Sequence, residues 1–291
     1  MEAVEIADGI YWVGALDWNC RSFHGFATPR GTSYNAYLLL DERNVLIDSV
    51  KAPFMEEMMA RVRSVIDPRE IDLIVSNHAE GDHASGLPML QELTGAEVLA
   101  SKRGVEALAL NYGRLRMREV ADMEELRIGR RTLRFIETPM VHWPESMFTY
   151  VVGDGVLFSM DAFGQHYCTS QRFDDQMDPG QLLEEAATYY ANIVLPFGAQ
   201  VKRAYEKVKG LPLRLLAPSH GVLWRAHIEE IVQAYLGWAE GRTEERVLII
   251  YDTMWGSTER MALAMAEGVR SQGVPVVVMR LTDTDRSMVM R

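Results

Sequence analysis

Cysteine is nearly absent: the 291 residues hold two, Cys20 and Cys168. That excludes a disulfide scaffold and a thiolate-built zinc or iron–sulfur site. No apolar run approaches the ~18 residues that a membrane-crossing helix needs. The opening Met1-Glu-Ala-Val-Glu-Ile-Ala-Asp8 has no basic stretch leading into an apolar core, so a cytoplasmic location is expected. Basic charge is short as well, with 30 Lys and Arg against 41 Asp and Glu. Nucleic acids and anionic membranes both recruit a basic footprint, so neither is expected as a partner. Internal repeats and low-complexity segments are missing too.

What is present suits a soluble α/β protein. Apolar residues reach 48 %, enough for a sizeable core. Strands are predicted at Ile10–Val13, Asn35–Leu40, Asn44–Asp48, Ile71–Val75, Val98–Ala100, Leu133–Glu137, Thr149–Val152, Val156–Met160 and Leu213–Ala217. Gly153-Asp-Gly155 marks a hairpin between two of them. Helical spacing recurs at Met55–Val65, Leu87–Leu93, Gln181–Ile193, Val201–Val208 and Ile228–Ala239. The methionines, 17 in all, read as core filler rather than ligands. A charged stretch, Gly241-Arg-Thr-Glu-Glu-Arg246, separates this region from a single β-α-β pattern: Val247–Tyr251, Thr258–Val269 and Pro275–Met279. Such a unit opens doubly wound parallel folds.

The chemistry concentrates in His78-Ala-Glu-Gly-Asp-His83, directly after a predicted buried strand. Alternation would send His78, Glu80 and Asp82 to one side, with a turn returning His83 to them. His142, Asp161 and His220 each follow another predicted strand. Four histidines and three carboxylates are too many ligands for one tetrahedral zinc. Two ions sharing a bridging carboxylate fit the count. Nitrogen and oxygen donors without thiolate suit iron or manganese, and also zinc.

His78-x-Glu80-x-Asp82-His83 resembles the metallo-β-lactamase superfamily motif, in which the second position is usually histidine. The glutamate there is similar to the flavodiiron proteins, or A-type flavoproteins. Gly31-Thr-Ser-Tyr-Asn-Ala-Tyr37, His142-Trp-Pro-Glu-Ser-Met147 and Asp161-Ala-Phe-Gly164 agree with that resemblance. It implies an αββα sandwich over residues 1–245. His78, Glu80 and His142 would bind one iron, Asp82, His83 and His220 the other, and Asp161 would bridge them. A carboxylate at position 80 adds charge and a hard oxygen donor, favouring iron and redox chemistry over zinc hydrolysis. The resemblance also implies that His24 lies near the metal pocket, where it could hydrogen-bond substrate. Trp143 is expected to pack over the site, His166 and Tyr167 to border it or simply pack, and His227 to be exposed.

Thr253-Met-Trp-Gly-Ser-Thr258 joins the buried strand to the helix, and hydroxyls and N–H groups at a helix N-terminus form a phosphate site. The spacing resembles the phosphate loop of flavodoxins, implying FMN contacts from Thr253, Met254, Trp255, Gly256, Ser257 and Thr258. Residues 246–291 are fewer than the roughly 100–150 that a flavodoxin-like domain needs. The expectation is therefore an incomplete doubly wound unit, the truncated N-terminal part of an FMN domain, that holds flavin poorly. The function expected from the resemblance is reduction of dioxygen to water, or of nitric oxide to nitrous oxide. Electrons would come from rubredoxin or a similar donor through FMN, in a head-to-tail homodimer. The alternatives are a dinuclear zinc hydrolase and a non-catalytic oxygen-sensing protein.

Overall fold

The computed structural model describes residues 1–291. Two mixed sheets stack face to face. The first runs in the order Val4–Ala7, Ile10–Trp12, Tyr37–Leu39, Asn44–Ile47, Ile71–Val75, Glu97–Ser101, Met117–Val120. Its first four strands pair antiparallel, and from Asn44–Ile47 onward each pairs parallel with the next. The second sheet is Glu125–Arg127, Thr132–Glu137, Met147–Val152, Val156–Met160, Leu215–Pro218, antiparallel except for the last pair.

Strand periodicity dictates the layers. Leu73 and Val75 point inward, where they join Ile47, Phe135, Val151, Phe158 and Ala217 between the sheets. Ile74 points outward and packs with Met58, Val62, Leu90 and Leu108 on helices Met55–Arg63, Leu87–Thr94 and Lys102–Tyr112. On the opposite face Tyr150, Leu157 and Leu216 pack against Leu182, Val201 and Ile231 of helices Pro179–Tyr189, Gly198–Val208 and Ile228–Ala239. The result is the expected αββα sandwich. The three helices on each side bury apolar stripes that neither sheet could cover alone.

Residues beyond the helix ending at Ala239 form a separate parallel pair, Val247–Tyr251 with Val276–Arg280, carrying helix Ser257–Ser271. Its buried apolar cluster is just Ile249, Ala262 and Ala266. A short helix, Arg286–Met290, returns toward the sandwich, where the Asn192 amide donates to the Ser287 carbonyl at 3.3 Å. No helix is long and apolar enough to cross a membrane.

The sheets are tied together beside their carboxyl ends. The Tyr37 hydroxyl donates to the Pro218 carbonyl at 2.6 Å, and the Asn35 amide donates to the carbonyls of Pro218 and Gly221. The Trp12 indole in turn fixes the Asn35 carbonyl at 2.8 Å. Gly221 is required by its turn: its φ is +80°, and a Cβ would lie 2.6 Å from the Gln165 carbonyl.

Candidate metal centre

Four strands end at one rim of the sandwich. Ile71–Val75 leads to His78, Thr132–Glu137 to His142, Val156–Met160 to Asp161 and Leu215–Pro218 to His220. Strand ends are rigid mounts, and the loops beyond them let side chains converge. After Glu80 the chain turns helical at Gly81–Ala84. The alternation expected through Asp82 therefore stops at Glu80, because a helical turn rotates Asp82 and His83 away from His78.

The seven side chains form two adjoining groups. His78, Glu80, His142 and Asp161 offer ligand atoms within 4.8 Å of one another, and Asp82, His83 and His220 do the same. Asp161 faces both. Its Oδ2 lies 2.9 Å from His142 Nε2 and 3.5 Å from His78 Nε2, while its Oδ1 lies 3.1 Å from His83 Nε2 and 3.4 Å from His220 Nε2.

Ring orientation is fixed from behind. His78 Nδ1 donates to the buried Glu145 carboxylate at 2.8 Å, and His220 Nδ1 donates to the Ser33 carbonyl at 2.6 Å. Each leaves Nε2 facing the cluster, the arrangement by which outer partners set a ligand's tautomer. Asp48 holds the strand end in place by accepting from the Asn77 backbone N–H at 2.7 Å and its amide at 2.9 Å. Sequence reasoning assigned no role to Glu145, Ser33 or Asp48. Glu145 carries a usable signal, an acid three residues after His142. Ser33 acts through its backbone and carries none.

The electrostatics of the cluster suit a cation. Burial disfavours a charge on His78, but hydrogen bonds to Glu145 and Glu80 outweigh it and push the ring up to about 10. Burial likewise opposes charge on His83 and His142, yet the surrounding carboxylates raise both to about 9. Glu80 and Asp161 are held far below the usual carboxylate range by those histidines, against the opposing effect of burial. Protons on imidazole thus balance the carboxylates when no metal does. That balance is poor in hydrogen bonds: both Asp82 oxygens, both His83 nitrogens, Asp161 Oδ1 and His220 Nε2 are buried without an aligned partner. Leaving such atoms unpaired costs about 1–3 kcal/mol each, which coordination would remove. The donor set and its orphaned atoms therefore fit two cations of the iron type.

His24 stands where expected, its Nε2 2.8 Å from Glu80 Oε1, and both side chains are 18 % exposed. Trp143 meets His78 edge-on with centroids 5.1 Å apart. His166 is buried with its ring 4.9 Å from that of His220, and burial drives its pKa well below the ordinary value. Tyr167 is half-buried beneath the Arg30 guanidinium. The expectation of an exposed His227 is corrected: it is half-buried, with its backbone N–H donating to Asp174 at 2.7 Å and its ring 3.1 Å from the same carboxylate.

In the Thr253–Thr258 loop, Gly256 N–H donates to Thr253 Oγ1 at 2.9 Å. No side chain caps helix Ser257–Ser271, so its first N–H groups are open to an anion, as a flavin phosphate requires. Met254 and Trp255 are 84 % and 87 % exposed, standing out from the loop.

Two family profiles match the chain: the ODP family beta lactamase over residues 32–221 and Flavodoxin over residues 249–290. A nitric oxide reductase of Moorella thermoacetica is 45 % identical, the match covering 100 % of this chain and 74 % of that protein. The flavodiiron protein from Giardia intestinalis superposes with a TM-score of 0.97 at 39 % identity, covering 100 % of this chain and 72 % of that one. The chain belongs to the flavodiiron family. The rubredoxin oxygen:oxidoreductase of Desulfovibrio gigas is a further structural neighbour, with a TM-score of 0.96 at 40 % identity over 99 % of this chain and 74 % of its own. The flavodiiron relatives share both the sandwich and the start of the flavodoxin unit, so the likeness is not confined to the metal rim.

Proposed function

We propose that this flavodiiron chain is an oxidoreductase that reduces dioxygen to water or nitric oxide to nitrous oxide at two irons. His78, Glu80 and His142 would hold one iron, Asp82, His83 and His220 the other, and Asp161 would link them. The observation that carries this reading is the division of Asp161, one oxygen toward each group. Residues 1–245 form the metal domain and residues 246–291 begin the FMN domain. Two irons held by these residues would supply the redox chemistry for a small gas, with FMN as the source of replacement electrons. Dioxygen consumes four electrons and four protons to give two waters. Two nitric oxide molecules consume two electrons and two protons to give nitrous oxide and water.

The protein's part is positioning and protons. Glu145 and Ser33 hold His78 and His220 with Nε2 inward. His24 keeps a proton on Nε2 against Glu80 at the solvent-facing edge, where protons can be passed inward. Trp143 covers His78 and limits water. Electrons would arrive from rubredoxin or a similar donor, in line with the neighbour named for rubredoxin. A head-to-tail homodimer would bring one subunit's flavin to the other's irons. Anaerobic iron loading, then dioxygen and nitric oxide consumption with a small chemical reductant supplying the electrons, tests the reading. Two irons per chain with turnover of either gas supports it. Zinc retention with hydrolytic activity and no gas consumption would replace it with the hydrolase reading.

A further inference from the structure

The second sheet and helices Gly198–Val208 and Ile228–Ala239 border a cavity of about 330 Å³ that opens to solvent. Its walls are aliphatic and aromatic, including Leu157, Val201, Ala204, Val208, Leu216 and Val232. Its exposed rim residues, Lys209 and Glu229, are the only charged ones lining it. Inside, the Tyr235 oxygen accepts from the Phe163 N–H at 2.7 Å. Sixteen of its eighteen lining residues are hydrophobic, and apolar cavities of about 150 Å³ bind xenon. The cavity also reaches the metal centre's own chain segments. Val141, Ala162 and Phe163 line it, and they adjoin His142 and Asp161 in sequence.

We propose that this cavity binds small, uncharged, apolar gas molecules against the chain segments that carry His142 and Asp161. Dioxygen and nitric oxide lose little by leaving water, because neither is charged nor a strong hydrogen-bond partner. An apolar space whose wall includes the segments carrying His142 and Asp161 would hold them above their concentration in water. This use of the cavity rests on the gas-reductase reading, whereas its affinity for apolar gas does not.

Xenon-pressurised crystals of the whole chain test the binding directly. Xenon density among Ala204, Val208 and Val232 is expected, and an empty cavity would overturn the proposal. Ala204→Leu and Val232→Leu each fill part of the space from a different helix, and thermal melts identify a variant that fails to fold. In the iron-loaded protein each should lose xenon density, keep its iron content and raise the KM for gas severalfold with kcat unchanged. Variants that exclude xenon but leave KM for both gases unaltered would refute a role in gas supply. Xenon occupancy is read on the protein itself, so failure of the gas-reductase reading would appear separately, as absent turnover in the wild-type chain.

Discussion

Replacing Glu145 with alanine should weaken iron binding without touching any proposed ligand. Its carboxylate is 5 % exposed and accepts from His78 Nδ1 at 2.8 Å and from the Ala79 N–H at 3.1 Å. Glu145→Ala removes both bonds, so His78 is free to rotate or change tautomer and the imidazole loses basicity. Outer partners of this kind are worth about 10–100-fold in metal affinity, or roughly 1.4–2.8 kcal/mol. The two buried donors left behind cost about 1–3 kcal/mol each in fold stability, before relaxation. Glu145→Gln keeps an oxygen acceptor while removing the charge, so its loss should be smaller on both counts. Anaerobic iron titration against a chelator, with denaturant melts of the metal-free protein, separates the two effects. Equal iron affinity in wild type and Glu145→Ala would refute the argument that Glu145 sets the His78 geometry.

Further outcomes follow from other parts of the molecule. Glu80→His should lower iron retention and shift metal preference toward zinc, as read by metal analysis after loading with both; unchanged iron content would remove Glu80 as the discriminating residue. Asp161→Ala should reduce bound metal to at most one ion per chain, because neither group keeps its shared oxygen. Asp174→Ala should destabilise the fold by about 2–3 kcal/mol, since the fully buried carboxylate accepts from the N–H groups of Arg225, Ala226 and His227. Burial opposes ionisation of Asp174, but those bonds outweigh it and lower its pKa. Its stabilisation is therefore present above about pH 4 and fades as pH falls below that, so the gap between wild type and variant in melts should narrow in acid. Residues 1–291 should take up iron but retain little FMN through gel filtration, because Trp255 is exposed and the buried apolar cluster of the surrounding unit is just three side chains.

Much of the sandwich could be read from hydrophobic period. Ile71–Val75, Val156–Met160, Ile228–Ala239 and Val247–Tyr251 have the boundaries their apolar patterns predict. The helix Lys102–Tyr112 escaped because it buries little beyond Gly104 and Leu108, leaving weak periodicity; its start is fixed by Ser101 accepting from the Gly104 N–H. The pairs Ala15–Asp17 with Thr32–Tyr34 and Ser22–Phe23 with Phe26–Ala27 are two or three residues long, set by tertiary contact rather than pattern. The candidate ligands were legible because metal-competent residues stood immediately after strands. Their division into two groups was not legible from spacing, since it depends on the helical turn at Gly81. The support from Ser33 was invisible because a backbone carbonyl leaves no mark on sequence.

The most direct test is anomalous diffraction at the iron edge from crystals of the anaerobically iron-loaded chain. Two iron peaks are predicted, about 3.5–4 Å apart, with one Asp161 oxygen on each. His78, Glu80 and His142 should surround one peak, and Asp82, His83 and His220 the other. A single peak, or two with Glu80 or Asp161 turned away, would contradict the account.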